Sequence, residues 1–215
     1  MSDEPPRFDP AGLAELPDEL ALGRLPVGRH GLPRSFVVRN QRLRIVAAML
    51  RTLPRRGYAR TTIGDVTNEA GVSRAAFYAQ FTGKEDCFLA TYELASEWLC
   101  ESVERAVAGR EEWPDRVRVG ASEALRLLAV NPEVAHLVAI EALQAGPAAR
   151  THQRASLVRF ADALRGGRPS PQCAPDLEEL LLGGALSLVA RYIEDDRTAQ
   201  LQEVGAATLS LYFLK

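Results

Sequence analysis

The chain has 215 residues, 47% of them apolar and 25% charged, which fits a folded globular protein with a sizeable core and excludes a fibrous or wholly disordered one. No apolar run approaches the roughly 20 residues that a membrane-spanning helix needs, and the acidic, proline-rich start lacks the pattern of a secretory signal, so a cytoplasmic location is expected. The net charge of -2 hides an asymmetry: Leu20 to Gly64 contains ten Arg and no acid, and the stretch from Leu20 to Phe88 carries +8.

A basic block inside a near-neutral chain is what a phosphate-facing surface requires. Cys87, Cys100 and Cys173 are far apart and odd in number, which fits buried thiols better than a disulfide framework or a metal site. No metal and no cofactor is expected.

In chain order, residues 1–34 are rich in Pro, Gly and charge and are expected to form a flexible arm. Arg29, Arg34 and Arg39 could carry that arm into a neighbouring minor groove. A first helix is predicted from about Ser35 to Leu53, on the stripe Val46, Met49, Leu50 and Leu53, with Pro54 and Gly57 ending it. A short second helix follows from Ile63 to Ala70, with Thr62 and Asp65 spaced as a capping box and Gly71 as a left-handed stop. Ser73 opens a third helix that runs to about Phe81. Thr82 and Glu85 have the spacing to cap a long fourth helix with the stripe Phe88, Tyr92, Ala95 and Leu99.

Beyond Trp113-Pro114 the pattern stays helical, broken at Asn131-Pro132, at Gly146-Pro147 and over Gly166–Pro175. Two last helices are predicted over residues 176–194 and 198–214, giving about nine helices and no sheet. The fold expected is therefore all-α.

Two short helices about a glycine turn, spanning residues 62–81, form a helix-turn-helix whose second helix can enter a major groove. Val66, Ala70, Val72 and Phe77 suit the inner face. The outer positions are Ser73, Arg74, Ala75, Ala76, Tyr78 and Gln80, among which Arg and Gln can make bidentate contacts to base edges. Thr61, Thr62 and Tyr78 offer hydroxyls to phosphates.

The segment from Arg44 to Glu93 resembles the DNA-binding domain of the TetR family. Gly57-Tyr58, Thr61-Thr62-Ile63, Ala70-Gly71-Val72-Ser73-Arg74, Phe77-Tyr78, Phe81 and Lys84-Glu85 carry the likeness. The resemblance implies a DNA-binding domain at residues 35–83 and an effector-binding, dimerising domain at 84–215. It also implies phosphate contacts at Thr62, Tyr78 and Lys84, and groove-facing positions at Arg74, Ala75, Ala76 and Gln80. Pro54, and Gln80 at a position often aromatic or His in the family, depart from the family pattern.

In the C-terminal part, Leu177, Leu181, Gly184, Leu188 and Tyr192, with Val204, Thr208 and Leu211, read as a homodimer interface. Leu180, Gly183 and Ser187 share that stripe. His136, Glu141, Gln144 and His152 are the polar candidates for an effector pocket. The expected function is a transcriptional regulator, a repressor that binds a near-palindromic operator on double-stranded DNA as a dimer and is released by a small molecule. No nucleophile elbow, zinc-hydrolase, phosphate-loop or dinucleotide motif occurs in the sequence, so no enzyme activity is expected.

Overall fold

A computed structural model describes residues 6–10, 34–166 and 177–204. Among them are nine α-helical elements and no strand: α1 Arg34–Arg60, α2 Ile63–Ala70, α3 Arg74–Tyr78, α4 Lys84–Val107, α5 Trp113–Val130, α6 Pro132–His136, α7 Ala142–Gln144, α8 Pro147–Arg165 and α9 Leu177–Glu194. A π-helical turn, Leu137–Glu141, joins α6 to α7, and a 3-10 turn, Thr198–Gln200, follows α9. The remainder of the last predicted helix, with Thr208 and Leu211, lies outside the described residues, as do Arg29 and Cys173.

Two compact units are present, one from Asp9 to Leu94, the other from Ala95 onward together with the N-terminal stretch up to Phe8. The division falls inside α4, whereas the sequence suggests a boundary at residue 84.

In the first unit, the predicted stripe of α1 is buried, with Val46, Met49, Leu50 and Leu53 packed beside Val66, Phe77, Phe81 and Phe88. The helix does not stop at Pro54, which lies inside it. Proline removes one backbone donor, and the chain continues helically until Gly57, where φ 72 and ψ 156 introduce a kink. α2 starts and ends as the sequence predicts, and α3 ends at Tyr78, before Phe81. At the start of α4 the partner of Thr82 is Asp86, whose carboxylate accepts from the Thr82 amide at 2.7 Å and hydroxyl at 3.1 Å. Since α4 begins at Lys84, it is Asp86, one turn in, that reaches back, and Glu85 is exposed.

In the second unit, Val103, Val107, Val117 and Leu164 form a core with Trp113, Phe160 and Leu182 packed against it. Arg116 fastens helix ends there: its guanidinium donates to the carbonyls of Val107, Arg110 and Ala163 at 3.1, 2.8 and 2.6 Å. Those carbonyls sit at helix C-termini, where backbone acceptors lack intrahelical donors.

Part of the predicted arm is docked in this unit. The Phe8 amide donates to Asn131 Oδ1 at 2.6 Å, the Asn131 amide donates to the Pro6 carbonyl at 3.3 Å, and the Phe8 ring lies 5.1 Å from that of Trp98. Burial pushes both Cys87 and Cys100 thiols up to about 12, which keeps them protonated.

Candidate nucleic-acid interface

The local chemistry of residues 62–81 produces two helices at a tight turn. Thr62 Oγ1 accepts from the Asp65 amide at 3.1 Å, and the Asp65 carboxylate accepts from the Thr62 amide at 2.9 Å, so both halves of the capping box form. The Thr62 hydroxyl also donates to that carboxylate at 2.7 Å. These hydrogen bonds, foremost the one from the Thr62 hydroxyl, hold the Asp65 carboxyl below its ordinary range. Gly71, at φ 62 and ψ 41, takes the left-handed conformation that ends α2. Ser73 then caps α3, its hydroxyl oxygen accepting from the Ala76 amide at 3.1 Å.

The inner positions of this motif are closed to solvent: Val66 and Phe77 are fully buried, Ala70 is buried, and Val72 is half-buried. Ser73, Arg74, Ala75 and Tyr78 are exposed, Ala76 and Gln80 half-buried. Tyr78 is 58% exposed, a large aromatic left in water while Phe77 beside it is sealed. Such a surface, polar and free of acids, can lie against base edges and phosphates.

Other predicted contacts are placed differently. Thr61 is buried, and its hydroxyl donates to the Gly57 carbonyl at 2.8 Å, so it supports the kink and is removed from the phosphate candidates. Thr62 is exposed, though its hydroxyl is engaged in the capping box. Lys84 is half-buried; its ammonium donates to the Tyr58 carbonyl at 2.9 Å and lies 4.3 Å from the Tyr58 ring centroid, which occupies one of its three donors. Arg39 is exposed near the start of α1, and the side chain of Arg34 lies outside the described residues.

The basic block is also less free than its sequence suggests. Glu69 of α2 binds Arg51 and Arg55, each at 2.8 Å, and Asp65 lies 3.3 Å from Arg56. Arg51, then Arg55, draw the Glu69 carboxyl below its usual range. The acids that balance three of the ten arginines stand just beyond the acid-free stretch and return to it through the α1–α2 turn.

In the second unit, His136 and Glu141 come together across the π-helical turn. Glu141 is 1% exposed, and its Oε1 lies 3.5 Å from His136 Nδ1, a nitrogen that has no hydrogen-bond partner among the described residues. Burial lowers the His136 pKa, against a smaller opposite pull from Glu141. Gln144 is exposed and does not join them, and His152 is half-buried on α8. Sequence reasoning missed Gln153, which is buried and donates to the Val138 carbonyl at 2.9 Å. The signal for it was periodicity: Ala149, Gln153, Ala161 and Leu164 share the buried face of α8. Polar groups buried in an apolar core can orient a small molecule.

On α9, Leu180 is 72% and Leu181 40% exposed, with Gly183, Gly184 and Ser187 exposed beside them. Leu188, Tyr192 and, after the 3-10 turn, Val204 are half-buried, while the Leu177 side chain lies outside the described residues. Among the described residues no helix is long and apolar enough to cross a membrane, and no group of three or more His, Cys, Asp or Glu could hold a metal ion.

Comparison with known proteins agrees with this geometry. Residues 45–91 match the family model described as bacterial regulatory proteins, tetR family. An uncharacterized HTH-type transcriptional regulator of Bacillus subtilis, YerO, is 38% identical over 50 residues, which is 23% of this chain and 17% of that protein. The match thus spans about a sixth of the curated relative's length.

Among solved structures, FadR of Bacillus subtilis in complex with stearoyl-CoA is similar over 79% of this chain and 96% of its own, with TM-score 0.70 and 17% identity. FadR of Bacillus halodurans is similar over 80% and 94%, with TM-score 0.71 and 15% identity. PfmR of Thermus thermophilus is similar over 79% and 94%, with TM-score 0.62 and 22% identity. At those identities the likeness concerns the fold.

Proposed function

Because residues 45–91 place this chain in the TetR family of bacterial regulatory proteins, we propose that it is a DNA-binding transcriptional regulator. The observation that carries this reading is the capped pair α2–α3. Gly71 turns the chain, Phe77 anchors α3, and Ser73, Arg74, Ala75 and Tyr78 remain exposed with no acid among them. Arg74 is the candidate for bidentate base contact, with Ala75, Ala76 and Gln80 beside it and Thr62, Tyr78 and Lys84 on phosphates.

A second copy is needed for useful specificity, since one such motif covers few base pairs. Two copies related by a twofold axis read half-sites about 34–36 Å apart. The exposed apolar and glycine face of α9 supports a homodimer built there. In this scheme the dimer represses by occupying a near-palindromic operator, and a small molecule bound near His136, Glu141 and Gln153 releases it. The coupling passes along α4, the helix that enters both units, and ~1–3 kcal/mol of it corresponds to roughly 5–150-fold in DNA affinity. Stearoyl-CoA, held by a protein of the same fold, is one effector to test first.

The experiment is selection of bound fragments from sheared host DNA, followed by anisotropy titrations with the recovered sequence. Wild type should prefer it over random duplex, and Arg74→Ala should relax preference at about one position per half-site, at a cost near ~1–3 kcal/mol. A protein that ignores duplex DNA in dilute buffer would refute the proposal.

A further inference from the structure

α3 has five residues, too few for a helix to hold itself in water. Its position comes from its surroundings, and α1 supplies part of them. Arg44 donates to the carbonyls of Ala70 and Gly71 at 2.5 and 3.3 Å, bracing the turn. Arg42 reaches the other end of the motif: its Nη1 donates to the Gln80 carbonyl at 2.9 Å, and its guanidinium carbon lies 4.4 Å from the Phe81 ring centroid. Residues two apart on a helix point to different sides, which is why neighbouring arginines can brace opposite ends of one motif.

From this geometry we infer that Arg42 is a positioning residue for DNA reading, whose charge fixes the C-terminal end of α3 and the depth of Gln80 instead of binding a phosphate. The inference rests on the DNA-binding reading above. The carbonyls that follow a helix lack intrahelical donors and carry the negative end of its dipole, so a guanidinium satisfies them in both respects. The flat face of the same group rests on Phe81, a ring that is itself 2% exposed and therefore fixed. Gln80 is held by its backbone, and its side chain remains available for a base edge.

The test compares full-length wild type with Arg42→Met and Arg42→Lys on the selected operator and on random duplex, at several salt concentrations. Arg42→Met should lose about tenfold on the operator, the scale of one charge-assisted hydrogen bond, while affinity and salt dependence on random duplex stay put. Arg42→Lys, which keeps a cation over Phe81, should recover part of the preference. Equal losses on both duplexes, with a salt slope shallower by about 0.9 per lost contact, would make Arg42 a phosphate ligand and overturn the inference.

Hydrogen exchange without DNA separates the two proposals. Amides of residues 79–82 should exchange faster in Arg42→Met than in wild type. Unchanged exchange there overturns the brace, whatever the DNA titrations give. Faster exchange in a protein that binds no duplex would keep the brace and reject the DNA reading.

Discussion

Gly120, in the middle of α5, puts packing and helix propensity in direct opposition. A Cβ at this position would stand 2.5 Å from Leu164 Cδ2, 3.1 Å from Val107 Cγ1 and 3.3 Å from Val103 Cγ1. Carbon atoms rest at about 3.5–4.0 Å, so Leu164 would have to retreat by roughly 1 Å in a core where it is 3% exposed. Overpacking of this kind costs about 1–3 kcal/mol, while replacing glycine by alanine within a helix returns about 1 kcal/mol. Gly120→Ala should therefore lower stability by about 1 kcal/mol, a shift of about 2–4 °C in melting temperature for a chain of this size.

Urea unfolding followed by circular dichroism measures the loss, and a double-mutant cycle with Leu164→Ala isolates its cause. If the clash with Leu164 dominates, Gly120→Ala should be neutral or stabilising once Leu164 is truncated. Should Gly120→Ala instead stabilise the wild-type background by the full helix-propensity gain, the close approach of α5 to α4 and α8 would be wrong.

Three further outcomes are expected. The carboxyls of Asp65 and Glu69 are held below their ordinary values, so the stability they provide is present above their unfolded values of about 3.9 and 4.3 and disappears as pH falls through the lower folded values. The melting temperature of wild type should fall below about pH 4, and Asp65→Asn with Glu69→Gln should flatten that limb; an identical acid limb in the variant would reject the assignment. In a Trp113→Phe background, Phe8→Ala should increase acrylamide quenching of Trp98, since their rings lie 5.1 Å apart, and unchanged quenching would mean that the N-terminal stretch is not docked in solution. Leu180→Glu, at a side chain 72% exposed within one chain, should leave monomer stability unaltered yet shift sedimentation from dimer to monomer at micromolar concentration.

What the sequence revealed is what short-range chemistry decides. The Thr62–Asp65 box and the Gly71 stop involve neighbours within one turn of helix, and both form as read. The stripes of α1 and α4 are legible because burial repeats with helical periodicity. Errors begin where a partner is chosen in three dimensions. Thr61 looks like a phosphate ligand until the Gly57 carbonyl takes its hydroxyl. Glu85 has capping spacing from Thr82, yet the true start of α4 at Lys84 hands that role to Asp86. Gln153 carries no mark in the sequence because nothing local announces that the Val138 carbonyl, in a π-helical turn, lacks its ordinary donor.

The same distinction governs how the basic block should be weighed. Ten arginines without an acid between Leu20 and Gly64 suggest one broad phosphate-binding surface. The fold divides them by task. Arg42 and Arg44 donate to carbonyls of the motif, Arg51, Arg55 and Arg56 face Glu69 and Asp65, and Arg60 donates to the Arg56 carbonyl at 2.9 Å. Exposed ion pairs of this kind are worth at most about 1 kcal/mol, so a phosphate could draw Arg51 or Arg55 away from Glu69 at small cost. A carbonyl at a helix end offers no such exchange, because withdrawing the guanidinium leaves an acceptor without its donor and loosens the segment that reads bases. Charge counted along the chain thus overstates attraction to DNA and understates the share that keeps the recognition helix in place.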